Sequence, residues 1–313
     1  MPLNISSGKI SRAVKTVIYG TEGIGKSTLA AQFPGALFLD VEGGTSQMDV
    51  RRIEAPATWD ELLGDVREVA QNPGICGTLV LDTADFSEQM LISHICKKHN
   101  QKGIESFGYG KGYTYVGEEW QKLMTAFDAV IRAGMNVTVI AHARQRKIEL
   151  PDQAGAFDHW EMKLSRQVAP LLKEWADLLL FCNYKTYVVS TDSNSKKAQG
   201  GKRVMYTSHN PVYDAKNRHG LPEELELSFE PLAKIFAKSE SGSQKSEIDP
   251  RERLAELMAE AGIEDYQLRD FIVSRGKQPA ETPIADYPDE FIKGYCLKYW
   301  EKIVNQIKGE NHE

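Results

Sequence analysis

The stretch Gly20-Thr21-Glu22-Gly23-Ile24-Gly25-Lys26-Ser27 constrains this chain more than any other. It is a G-x-x-x-x-G-K-[ST] pattern, preceded by the apolar run Val14–Tyr19 and followed by a helical pattern through about Gln32. A strand, a glycine turn and a helix in that order wrap backbone N–H groups around phosphate oxygens. Glycine keeps Cβ atoms out of the turn, and the helix directs its positive N-terminus at the same anion. The spacing therefore assigns Gly20, Thr21, Glu22, Gly23, Ile24, Gly25, Lys26, Ser27 and Thr28 to nucleotide binding, with ATP expected. Lys26 reaches the β- and γ-phosphates and Ser27 ligates Mg²⁺ in this reading. A tight glycine turn with a surface lysine is the plain alternative.

Short β-rich runs alternate with amphipathic helices up to residue 185. Strands are expected at Val14–Tyr19, Ala36–Val41, Gly77–Leu81, Asn136–Ala141, Asp177–Cys182 and Thr186–Ser190. Trp59–Gln71 places Trp59, Leu62, Leu63, Val66, Val69 and Ala70 on one helical face, and Asn72-Pro73-Gly74 stops it. This alternation predicts an α/β fold whose central, mostly parallel sheet is covered on both faces. Strand-like segments flanking Asp192–Lys202 read as a β-hairpin at the sheet edge. Residues 238–249 (KSESGSQKSEID) have the composition of a flexible linker. The expected organisation is a core over 1–238, a linker over 239–250 and a small helical domain over 251–313. Helices of that domain are expected from Pro250, at Tyr266–Ser274 and at Phe291–Ile307.

Composition matters where it excludes. The 313 residues carry 38 Lys+Arg against 44 Asp+Glu, a net charge of −6. The tail from Pro250 holds 9 Lys+Arg and 13 Asp+Glu, so it carries −4 and the core −2. A protein that coats duplex nucleic acid by overall positive charge is excluded, whereas a local basic groove is not. No apolar run approaches the ~20 residues that span a bilayer, and no basic-then-apolar signal opens the chain. No membrane partner and a reducing cytoplasmic setting are therefore expected. Cys76, Cys96, Cys182 and Cys296 form no C-x-x-C pair, which excludes a zinc knuckle and argues against a disulfide framework.

Thr78-Leu79-Val80-Leu81-Asp82 ends an apolar strand in the place of a Walker B aspartate, which holds Mg²⁺ through water. Thr83 follows it, so the glutamate that directly follows this aspartate in AAA+ enzymes is missing. The second strand ends Asp40-Val41-Glu42, and the fourth, from Val137, ends in His142. Together these motifs resemble the RecA-core P-loop ATPases encoded by bacteriophages, a group that includes single-strand annealing and recombination proteins. The resemblance covers about residues 13–237. It implies a RecA-like core, Glu42 as the base that activates water, Asp40 in support and His142 as the γ-phosphate sensor. With Lys26 and Asp82 these complete the implied catalytic set. The residues alone leave open that both carboxylates merely solvate a strand end and that His142 is structural.

Gly103–Trp120 mixes glycines with Phe107, Tyr109, Lys111, Tyr113 and Tyr115. It is expected to be a mobile loop suited to stacking bases, in the interval of the first RecA DNA loop. Packing of the tyrosines on the domain stays open. Arg144, Arg146 and Lys147 follow His142, and a loop running on to Lys163 and Arg166 takes the place of the second DNA loop. Arg144 or Arg146 facing the nucleotide, or a solvated charge run, are the alternatives. Lys196, Lys197, Lys202 and Arg203 read as a basic, soluble hairpin. By position, the resemblance makes Lys216 and Arg218 candidates for completing a neighbouring subunit's ATP site in trans. It also implies an ATP- and Mg²⁺-dependent enzyme of DNA recombination that binds single-stranded DNA and promotes annealing or pairing. Such a protein works as a homo-oligomer, ring or filament, in the bacterial host cytoplasm. The acidic tail points to a protein partner such as a single-strand binding protein. The alternative is an AAA+-like helicase loader or replication accessory ATPase.

Overall fold

Strand β1 (Lys15–Gly20) pairs in parallel on both sides, with β5 (Asn136–Glu149) and β7 (Leu178–Thr191), in a computed structural model of the protein. The structure describes residues 8, 12–149, 155–191, 195–237, 250–279 and 282–309. The chain divides into two compact units, 1–243 and 244–313. Apart from Pro250, the expected linker lies outside the described residues.

The first unit is an α/β fold of RecA-like P-loop type. Its sheet also contains β2 (Ala36–Asp40), β3 (Arg51–Ile53), β4 (Thr78–Asp82), β8 (Ser195–Tyr206) and β10 (Glu224–Glu226), in the order β10-β8-β7-β1-β5-β4-β2-β3. The parallel run extends from β7 to β3, and β8 and β10 add an antiparallel edge. Two strands join off this path: β6 (Ala156–Met162) on β5 and β9 (Lys216–Asn217) on β7. β5 lies between β1 and β4, so the glycine turn and Asp82 are separated by one strand.

Residue parity decides which face each side chain covers. Val17, Tyr19, Leu37, Leu39, Leu79, Leu81, Val137, Val139, Leu179 and Phe181 form one buried cluster. Helices α2 (Trp59–Gln71), α3 (Ala84–Lys98), α4 (Lys111–Arg132) and α5 (Val168–Trp175) supply its other half. The alternate residues Ile18, Leu178, Leu180 and Cys182 pack on the other face against Leu29 and Phe33. Phe38, Val80 and Ile140 meet Ala30 there. This double coverage is why the strands read as continuous apolar runs.

Four expectations are corrected. Residues 103–120 are not one loop: a 3₁₀ turn at Ile104–Phe107 leads into α4, which begins at Lys111. Burying Val116 and Trp120 contributes about 2–3 kcal/mol each, which outweighs the roughly 1 kcal/mol helix penalty of each of Gly112 and Gly117. Gly112 is required there, because a Cβ would lie 2.6 Å from the Ile104 carbonyl oxygen. Arg144–Lys147 do not enter a loop either, since β5 continues to Glu149 and pairs antiparallel with β6. The two strands expected at Asp177–Cys182 and Thr186–Ser190 are one strand, β7; it pairs antiparallel with β8, which begins at Ser195 inside the stretch expected as a turn and is flanked by β10, so it is not the sheet edge. In the second unit, Leu254, Met258, Leu268, Ile272, Tyr287, Ile292, Cys296 and Ile303 form a core of their own. Its expected last helix is broken: Asp289–Phe291 runs into a π turn at Ile292–Leu297, and an α-helix resumes at Trp300–Lys308. Gly294 weakens the α-helical alternative at that point. No helix among the described residues is long and apolar enough to cross a membrane.

Candidate nucleotide site and basic groove

The carboxyl ends of the parallel strands converge. Gly20 of β1 lies in register with His142 of β5 and Cys182 of β7, and Asp40 of β2 with Asp82 of β4. Such an edge is where α/β sheets place their ligands. The turn after β1 passes through Gly23 (φ 71°) and Gly25 (φ 105°). Gly20 is fixed by proximity, since a Cβ there would lie 2.2 Å from the Cys182 carbonyl oxygen.

Helix α1, Lys26–Ala30, is only five residues long and ends before the expected Gln32. Its dipole is correspondingly small, so the turn's backbone N–H groups, more than a helix field, suit an anion. The Lys26 ammonium is buried and donates to the carbonyls of Gly20 (3.1 Å) and Thr21 (3.0 Å). Burial holds it below the usual lysine value. An ammonium parked on two carbonyls at the mouth of a glycine turn is poised for an incoming phosphate.

Ser27 Oγ donates to Asp82 Oδ2 at 2.6 Å. Asp82 is 2% exposed, and burial pushes its carboxyl up to about 6 against the opposing effect of the Ser27 bond. Nearby Asp40 and Glu42 push in the same direction as burial. A hydroxyl and a buried carboxylate held side by side at this edge fit the oxygen chemistry of Mg²⁺, which takes one or two protein ligands and completes its shell with phosphate and water. No cluster of three or more His, Cys, Asp or Glu side chains that could hold a metal exists among the described residues.

Asp40 and Glu42 part company. Asp40 is buried and accepts from the N–H groups of Gly43, Gly44 and Thr45 and from the Thr45 hydroxyl, at 2.6–3.2 Å. It holds the turn after β2. Glu42 is exposed on that turn, its N–H donates to the Asp82 carbonyl (3.2 Å), and its carboxylate accepts from Thr83 Oγ1 at 3.4 Å. Support from Asp40 is therefore structural, delivered through the backbone that presents Glu42.

His142 is buried, and its partner was not foreseen from sequence. Asp85, in the first turn of α3, accepts from the His142 N–H (3.1 Å) and meets Nδ1 (2.8 Å). The Asp85 hydrogen bond holds the imidazole above its usual value. Burial acts to raise Asp85, but the bonds from His142 prevail and hold its carboxyl low. One turn on, buried Glu88 accepts the Ser165 N–H with both oxygens, at 3.0 and 3.2 Å. Arg203, read from sequence as surface, lies at the glycine turn, donating to the Ile24 carbonyl at 3.4 Å. Asp85 and Glu88 are spaced like ordinary surface charges on a helix, and Arg203 is brought in by strand pairing, so none carried a sequence signal.

A groove of about 590 Å³ is lined in part by Tyr113, Arg144, Gln145, Arg146, Glu161, Ser165 and Arg166. It unites residues expected on two separate DNA loops. Arg144 donates to Glu161 (2.9 Å) and to the Leu164 carbonyl (3.0 Å), while Arg146 stands 3.9 Å from Glu161. The Tyr113 hydroxyl donates to Glu105. Tyr109, Lys111, Lys147 and Lys163 are not part of this lining. Tyr109 is fully exposed just before α4, and Lys163 stands 3.9 Å from Glu22 of the glycine turn. Lys216 donates to the Lys173 and Glu174 carbonyls, and Arg218 pairs with Asp177. These contacts lie beside the start of β7, at the opposite end of the sheet from the glycine turn.

A glycine turn after a central strand, a buried lysine, a Ser–Asp pair one strand apart and a carboxylate turn define a P-loop ATPase of RecA-like architecture. The chain belongs to the AAA domain family AAA_24, whose model matches residues 12–219. No curated protein matches it. Similar solved structures include the KaiC-like protein PH0186 from the hyperthermophilic archaeon Pyrococcus horikoshii OT3. It is 14% identical, with TM-score 0.33, over 62% of this chain and 78% of that one. Another is the flagellar accessory protein FlaH from Methanocaldococcus jannaschii, 12% identical with TM-score 0.36, over 69% and 85%.

Proposed function

We propose that the protein is an ATP-hydrolysing enzyme of the phage recombination type that binds single-stranded DNA and promotes its annealing or pairing. The observation that carries this reading is the groove in which Tyr113, Arg144, Arg146 and Arg166 meet, on the strand that continues directly from His142. Three guanidiniums and an aromatic ring suit a phosphodiester backbone with unstacked bases, and a groove of this size is a local feature that a net charge of −6 does not oppose.

Beside His142, where Gly20 of β1 lies in register with it, the backbone N–H groups of Gly20–Thr28 and the Lys26 ammonium hold the ATP phosphates. Ser27 and Asp82 hold Mg²⁺, which supplies positive charge to the β- and γ-phosphate oxygens when bound. Glu42, exposed and weakly engaged, takes the proton of the attacking water. His142, whose ring Asp85 orients and holds above its usual value, meets the charge that develops on the γ-phosphate. The family's AAA description leaves a helicase loader or replication accessory ATPase as the second reading, but the residue after Asp82 is Thr83, and this proposal gives the base's role to Glu42 instead. Assembly into a ring or filament, and a single-strand binding protein docked on the acidic second unit, complete the proposal. A trans role for Lys216 and Arg218 requires release of their contacts within the chain.

The test is ATP turnover with and without oligodeoxythymidylate, with solution mass recorded on the same samples. Stimulation, together with oligonucleotide binding that weakens steeply in salt, supports the reading. A strict monomer with neither response overturns it.

A further inference from the structure

Helix α3 starts two residues after Asp82 and presents two buried carboxylates one turn apart, Asp85 at 2% and Glu88 at 6% exposure. Burying a carboxylate is costly unless dedicated donors repay it, so the donors show what each group is there to hold. Asp85 holds His142 by ring and backbone, as described. Glu88 is held by a different segment. Both its oxygens receive the backbone N–H of Ser165, from the far side of the groove turn.

That turn is also anchored by Leu164 in the core and fastened at its ends. Lys163 N–H donates to the His142 carbonyl at 2.8 Å, and the Ser165 hydroxyl accepts from the Val168 N–H at 3.3 Å, where α5 begins. Arg144 grips it from the groove side through the Leu164 carbonyl. Ser165 and Arg166 then line the groove. The first two turns of α3 thus hold, on one rigid segment, the sensor histidine and the turn that presents Arg166. Thr83, at the N-cap of this helix, bonds Glu42.

We propose that Glu88 is a positioning residue through which helix α3 passes the state of the ATP site to the basic groove, and the occupancy of the groove back to the ATP site. A change at Asp82–Asp85 on nucleotide binding moves α3, and Glu88 moves the 163–167 turn with it. Coupling of binding free energies is reciprocal, so DNA in the groove changes nucleotide affinity by the same factor, and the same bond carries its effect on turnover in this proposal. The inference rests on the reading of the groove as a single-stranded DNA site.

The experiment compares the full-length wild type with Glu88→Gln and Glu88→Ala. Three quantities are measured: ATP turnover without DNA, turnover with saturating oligodeoxythymidylate, and oligonucleotide affinity without nucleotide. The wild type is expected to be stimulated at least about fivefold, the low end of ordinary coupling. Glu88→Gln keeps the shape and one acceptor. It is expected to retain DNA-free turnover and oligonucleotide affinity within about threefold, while stimulation falls below about twofold; Glu88→Ala loses stimulation altogether. Full stimulation in both variants overturns the role of Glu88 and leaves the groove assignment standing. Parallel loss of turnover, affinity and melting temperature in both variants also overturns it, since a merely structural bond would do that. A wild type that neither binds the oligonucleotide nor responds to it overturns the groove assignment itself.

Discussion

Removing the charge from Asp82 should make the nucleotide-free protein more stable while disabling it. Its carboxyl is raised from the ordinary 3.8 to about 6, with burial as the leading cause. A carboxylate raised on folding costs stability once ionised. The cost begins as pH rises past the unfolded value, near 4, and is complete above the folded value of about 6. A rise of this size corresponds to about 3 kcal/mol at neutral pH. Asp82→Asn keeps the Ser27 hydrogen bond, because the amide oxygen accepts as the carboxylate did. In chelator-treated, nucleotide-free protein at pH 8, the variant should therefore exceed wild type by roughly 2–3 kcal/mol in urea denaturation of the first unit. The difference should shrink through pH 6 and vanish near pH 3.5, where wild type is protonated in both states. Adding Mg²⁺ and ATP should reverse the order, because only the wild type gains the cation. Equal stability at pH 8, or a gap that does not depend on pH, would refute the account of Asp82 as a strained, cation-seeking group.

Asp85→Asn should lower the titration midpoint of the His142 ring, read by NMR, because the Asp85 bond is the largest cause of its elevation. In wild type, stability from this pair should be full between the ordinary Asp85 value of 3.8 and about pH 6.5, be lost as pH rises through the raised His142 value, and be lost again in acid as Asp85 protonates. Gly20→Ala forces a methyl against the Cys182 carbonyl 2.2 Å away, and should destabilise the first unit by about 2–4 kcal/mol, measured by thermal melting. Arg203→Ala should raise the KM for ATP about fivefold or more with kcat little changed, since the guanidinium stands at the glycine turn and not at Glu42. Replacing Arg144 and Arg166 together by Ala should weaken oligodeoxythymidylate binding and reduce its salt slope by about one or two.

How much of this was legible in the sequence varied with the physics of each segment. The phosphate turn was plain because its glycines are demanded by close approach at Gly20 and by positive φ at Gly23 and Gly25. Trp59–Gln71 has the expected bounds because its apolar face is regular and its ends are marked by Thr58 and Asn72. The outer half of β5 was missed because Arg144–Lys147 are solvated on both faces of a two-stranded ribbon, so hydrophobic alternation has nothing to act on. The start of α4 has the composition of a loop, and tertiary packing at Gly112 and Trp120 overrides it. In the site, Ser27 and Asp82 stand where motif position puts them, and His142 where the family resemblance puts it. Asp85 and Glu88 carry no such signal, because charged residues on a helix usually face water, and only the fold shows that these two face inward.

The continuity of β5 sets a parity on how this molecule can change. A single strand carries Val137 and Val139 in the core, His142 at the phosphate edge, and Arg144 and Arg146 at the groove. One residue inserted between His142 and Arg144 would reverse the facing of every ribbon residue beyond it and move Arg144 off Glu161, its partner across the ribbon. Two inserted residues would restore the facing and displace the groove outward by about 7 Å. Lineages of this chain should therefore tolerate even changes of length at that point and reject odd ones, whatever the ribbon's composition.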